Sequence, residues 1–267
     1  MRANPVGTIT PVVSWHEDGL SLDFSEQKNL MVISALAGLP VVRLDLTGTQ
    51  VRDLAPLRGM PLRVFHGGQE IGGTDLELGR LAACPLVKFA YMGTEIKSLK
   101  WMAGMPLTNI VIRCARFNHP DLRVLKGLRL SRLQISVWEN SLTDIAALKG
   151  MPLTDLELNS SAKFPLADLD PLVGMRLTSL SLKYSRVCDL NPLKGMPLIH
   201  LDLTGTTVRD LKPLKGLPLK WLSIARTPVS DLGSLAGLPL EYLDITETRI
   251  TNLGALKDIP TLKTVIR

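Results

Sequence analysis

Carboxylates are the first chemistry this sequence offers. Asp53, Glu77, Asp121, Asp144, Asp168, Asp189, Asp210 and Asp231 recur at one kind of spacing, shared with Ser98 and Asn252, and paired acids can serve as general acid and base. His16, His66, His119 and His200 could ligate a metal, and Cys84, Cys114 and Cys188 could supply thiolates. The spacing argues against each of these. The acids occur once per repeating block, always eight residues before the next block starts, so they read as boundary marks of a first turn, where an Asp, Asn or Ser side chain accepts from free backbone N–H groups. The histidines are scattered, with at most His66 and His200 on one face and some six strands apart. The cysteines are odd in number and fall at unlike positions, without disulfide or zinc spacing. No catalytic residue, cofactor or metal is therefore assigned, and the chain is read as non-enzymatic.

The elements that position these residues follow from a repeat. Pro197, Pro218, Pro239 and Pro260 stand 21 residues apart, and the first three open blocks reading Pro-Leu-x-x-Leu-x-(Leu/Ile)-x-x-Thr-x-(Val/Ile)-x-(Asp/Asn)-Leu-x-x-Leu. Ten blocks begin at Pro40, Pro61, Pro85, Pro106, Arg129, Pro152, Arg176, Pro197, Pro218 and Pro239. Self-similarity at this period with a Leu-x-x-Leu-x-Leu core marks leucine-rich repeats. The fold expected is an α/β leucine-rich repeat solenoid: a right-handed, curved parallel β-sheet on the concave face, with short 3-10 or helical turns and loops on the convex face. Residues 1–39 read as an N-terminal cap with a hairpin turning at Asp18-Gly19, 40–259 as the ten repeats, and 260–267 as a terminal strand.

Four long repeats carry extra residues around 67–74, 115–119, 137–141 and 161–165, where they could build a binding rim. Thr49, Thr94, Thr206, Thr227 and Thr248 stand where many such repeats carry Asn, so their hydroxyls are expected to tie neighbouring backbones into a ladder. With 45% hydrophobic but 4% aromatic residues, the core is expected to be aliphatic.

Asp189-Leu190-Asn191-Pro192-Leu193 resembles the return segment of the short, internalin-like repeat class, and Leu-Lys-Gly-Met-Pro-Leu at 148–153 and 193–198 resembles arrays found beside bacterial serine/threonine kinase domains. The resemblance implies a protein-binding solenoid. It also leaves two alternatives to a free-standing scaffold: a regulatory or substrate-docking region of a larger kinase, or an exported internalin-like adhesion protein. No Gly-rich phosphate loop, His-Arg-Asp or Asp-Phe-Gly occurs.

The net charge of +6 is accounted for by Arg58, Lys126, Lys149, Lys194, Lys215 and Lys257, all at one position closing the return turn, where a cation suits the turn's negative end. Nucleic acid is therefore not an expected partner. Residues 1–13 lack the apolar core of an export signal, and no run approaches the ~18 apolar residues of a membrane helix. A cytoplasmic, membrane-free monomer binding another protein is the expectation. On the concave face His200, Trp221 and Tyr242 should be contiguous, flanked by Asp202 and Asp244. These rings could dock a partner, or stack on each other and shield the C-terminal end. Lys88, Arg113, Arg132 and Lys183 form a second candidate patch suited to an acidic partner.

Overall fold

The computed structural model describes residues 9–25, 27–117 and 121–267, which group into two compact units, Met1–Leu130 and Ser131–Arg267. In the first unit the strands are β1 (Val12–His16), β2 (Gly19–Asp23), β3 (Val41–Asp45), β4 (Val64–Gly67), β5 (Lys88–Ile96) and β6 (Asn109–Phe117). β1 and β2 pair antiparallel, and every later neighbour in the unit pairs parallel. In the second unit β7 (Arg132–Asn140), β8 (Asp155–Ser160), β9 (Ser179–Ser181), β10 (His200–Asp202), β11 (Trp221–Ser223), β12 (Tyr242–Asp244) and β13 (Thr264–Ile266) pair parallel in chain order. Each return segment is a 3-10 turn, with no α-helix among the described residues.

Alternation within each strand sends one set of side chains inward. In the second unit Leu133, Leu156, Leu180, Leu201, Leu222 and Leu243 form one fully buried row, and Ile135, Leu158, Leu182, Leu203, Ile224 and Ile245 form the next. The turns bury Leu148, Leu172, Leu193, Leu214 and Leu235 against them. Adding coils therefore extends one continuous core, each coil covering its neighbours.

The boundary acids act as turn starters. Asn191 N–H donates to Asp189 Oδ1 at 2.8 Å, and the same bond recurs from Ala55 to Asp53, Lys212 to Asp210 and Gly233 to Asp231. Glu77 departs from the pattern: its own N–H donates to the Thr74 hydroxyl at 3.3 Å. The return turn ends on a left-handed residue such as Gly195, φ 71°, where a Cβ would meet nothing and conformation alone asks for glycine.

Several sequence expectations are corrected. The first unit's core is not purely aliphatic: Phe65, Phe89, Tyr91, Phe117 and Trp101 are buried, with Phe89 edge-on to Trp101 at 5.0 Å. The threonines after the strands do not form the expected ladder with their hydroxyls. Those of Thr49, Thr206, Thr227 and Thr248 donate to carbonyls three residues earlier in the same coil, Leu46, Leu203, Ile224 and Ile245, at 2.6–2.8 Å. The coil-to-coil bonds there are made by the following residue instead, as where Thr207 donates to Val187 O through both its backbone N–H and its hydroxyl, each at 3.0 Å. Thr94 is exposed inside the nine-residue β5. The extra residues of two long repeats lie partly within β6 and β7, each nine residues long, where Phe117 and Val137 are buried and Trp138 is exposed. The hairpin turns at Glu17-Asp18, and Gly19 opens β2, where a Cβ would lie 2.8 Å from Pro40 O.

Candidate functional site

The second unit's register aligns Arg132, Asp155, Ser179, His200, Trp221 and Tyr242 in one outward row, and Gln134, Glu157, Ser181, Asp202, Ser223 and Asp244 in the next. Strand spacing near 4.8 Å brings flat side chains of one row into contact. His200 and Trp221 stack with centroids 4.0 Å apart at 17°, and Trp221 and Tyr242 stack at 5.0 Å and 3°. All three rings are half-buried. Both faces of Trp221 are thus covered, and a partner would meet ring edges and the two ends of the stack. Burial holds the His200 pKa below the ordinary histidine value, against the pull of Asp202. At neutral pH its ring is uncharged.

The two aspartates beside the rings build the strand exits. Asp202, 3% exposed, accepts from Thr204 N–H at 3.0 Å and the Thr204 hydroxyl at 2.6 Å, and pairs with Lys183 Nζ at 2.9 Å. Asp244 accepts from Thr246 N–H at 2.9 Å and its hydroxyl at 2.6 Å. In the first unit Asp45 takes Thr47 N–H at 2.8 Å and lies 2.9 Å from His66 Nδ1. The Asp-x-Thr spacing common to these corners is the sequence signal of a carboxylate engaged at the strand exit. The coil then turns at a left-handed residue, for example Gly205 at φ 71°, whose Cβ would come 2.5 Å from the Tyr184 ring.

Arg132 Nε pairs with Asp155 Oδ2 at 3.0 Å and Lys183 with Asp202, while Lys88 and Arg113 belong to the first unit, both exposed. His16 is exposed on β1, His66 is on the first unit, and His119 lies outside the described residues. Among the described residues no three His, Cys, Asp or Glu side chains are placed to hold a metal.

Sequence reasoning missed a hollow of ≈ 220 Å³ on this face. Ser179 and Ser181 leave room at its floor, with Asp155, Glu157 and Asn159 on one side and His200, Asp202 and Trp221 on the other. Glu157 accepts from the Ser136 hydroxyl and from Asn159 Nδ2 at 3.0 Å, and Asn159 Oδ1 in turn accepts from Ser181 Oγ at 2.9 Å. The signal was present as two serines, Ser179 and Ser181, either side of Leu180 and so in adjacent rows, flanked by larger residues.

An internalin (inlF) from Listeria monocytogenes superposes with a TM-score of 0.68 at 19% identity, covering 88% of this chain and 76% of that one. This is the leucine-rich repeat fold in its short, internalin-like form. A leucine-rich repeat protein of Leptospira interrogans matches with a TM-score of 0.54 at 15% identity over 88% of this chain and 81% of its own. The functional domain of InlJ from Listeria monocytogenes, which includes a cysteine ladder, gives 0.53 at 16% identity over 84% of this leucine-rich repeat chain and 52% of that one. No protein-family model and no curated protein matches the sequence.

Proposed function

We propose that the chain is a non-catalytic protein-interaction module that docks another protein on the open strand face of its second unit. The observation that carries this reading is the stack of His200, Trp221 and Tyr242, half exposed on that face beside a polar hollow. Trp and Tyr are the side chains most often found at binding hot spots, and holding them rigid before contact reduces the ordering cost of association. The aspartates that could suggest hydrolysis are engaged in turns and strand exits, which supports a binding role over a catalytic one. Free Cys84, Cys114 and Cys188 accord with a reducing compartment.

The test is capture of partners from native cell extract by the wild-type chain and by Trp221→Ala and Tyr242→Ala variants whose folding is checked by circular dichroism. A hot-spot truncation costs at least ~2 kcal/mol, so roughly thirtyfold weaker capture is expected from Trp221→Ala. The same proteins retained at the same strength by both variants would exclude this face.

A further inference from the structure

The outward row of the second unit is filled with flat side chains at one end and interrupted at the other. Tyr242, Trp221 and His200 follow one another on β12, β11 and β10, and the next position, on β9, is Ser179. Asp155 stands beyond it on β8. Across that one small residue the backbones of β8 and β10 are two strand spacings apart, about 9.6 Å. The face of the His200 ring turned away from Trp221 therefore borders the hollow. At ≈ 220 Å³ this space falls below the ~300–1,000 Å³ of ordinary small-molecule sites and suits a single inserted side chain.

Charge decides which side chain. Asp155 is paired with Arg132 and Asp202 with Lys183, but Glu157 accepts only from the neutral Ser136 and Asn159, with no cation bonded to it among the described residues. His200 is neutral, so the hollow keeps one uncompensated negative charge. A partner group that complements it carries a single positive charge and is flat enough to continue the stack. Guanidinium meets both conditions, being planar, permanently charged and able to give two parallel hydrogen bonds to a carboxylate. An ammonium group satisfies the charge but has no flat face to lay on a ring.

We propose that this hollow receives an arginine side chain of the docked protein, its guanidinium lying over Ser179 as the next member of the His200–Trp221–Tyr242 stack and donating to Glu157. The proposal rests on the docking reading above and names the chemistry of the partner residue that enters.

The experiment titrates the full chain with Nα-acetyl-arginine amide, following the ring resonances of His200 and Trp221 by NMR. Nα-acetyl-citrulline amide, the same shape without charge, and Nα-acetyl-lysine amide serve as comparisons. Saturable shifts with the arginine amide are expected, with at least tenfold weaker response to the other two and to arginine on Glu157→Gln. Equal response to citrulline, or no effect of Glu157→Gln in a variant with unchanged melting, overturns the proposal. Absence of shifts together with Trp221-dependent capture of a protein removes the arginine and leaves the docking face intact. Shifts without Trp221-dependent capture overturn both, since the site would then serve free guanidinium compounds.

Discussion

His200 shows how one side chain's surroundings turn into a measurable property of the fold. Burial opposes the imidazolium, so the folded pKa lies below the 6.5 of the unfolded chain, and Asp202, Asp155 and Glu157 only partly offset it with Lys183 opposing them. As pH falls, the unfolded state takes up this proton first. The contribution is therefore whole above about 6.5 and declines as pH falls through that value toward the folded pKa. His200→Gln should flatten this part of the stability profile in urea melts between about pH 5 and 7.5. An unaltered slope would show that the ring is not desolvated. The thiols give a second residue-level expectation. Burial pushes Cys114 up to about 11 and raises Cys84, and their Sγ atoms donate to Arg116 O and Leu57 O at 3.1 Å, whereas Cys188 is exposed. Iodoacetamide should modify Cys188 alone in the native chain and all three after denaturation. Native labelling of Cys84 or Cys114, read by peptide mass spectrometry, would contradict the packing.

Aspartates serve two different corners of the coil. Asp189 starts a return turn through Asn191 N–H, and Asp202 closes a strand exit through Thr204 N–H. The first job was legible because it recurs at one offset before every block, independently of the neighbouring strand. The second was not, because Asp202, Ser223 and Asp244 alternate in that row and the strand pattern alone marks the position only as outward-facing. Replacing a turn-starting acid should remove one bond without disturbing the core. Asp189→Ala is expected to cost ~1 kcal/mol, seen as a lower urea midpoint at unchanged slope. An unshifted midpoint would mean that solvent satisfies that N–H equally well.

Over the whole chain, stability is a sum of coils and contacts between adjacent coils, so damage should stay local before it becomes global. Leu222 is wholly buried between Leu201 and Leu243 of the neighbouring strands. Leu222→Ala should cost ~2–5 kcal/mol, and hydrogen exchange should show lost protection in β10, β11 and β12 before β7 and β8 respond. Uniform loss across the second unit would indicate a single cooperative block. The aromatic core of the first unit was hidden from composition for a related reason. A mean of 4% aromatic residues does not report that Phe65, Phe89, Tyr91 and Trp101 converge on adjacent coils.

From the sequence by itself came the strand register, the inward leucine rows and the identity of the outward rows, because a 21-residue period with two-residue alternation leaves a stacked chain one way to bury its leucines. Which outward side chains remain free was decided only in three dimensions. Lys183 reaches Asp202, Arg132 reaches Asp155 and the three rings lie flat on one another, all through contacts between strands about a repeat apart, whose outcome depends on side-chain length and rotamer. The hollow over Ser179 and Ser181 exists for the same reason: two short side chains open space only because their neighbours on β8 and β10 are long.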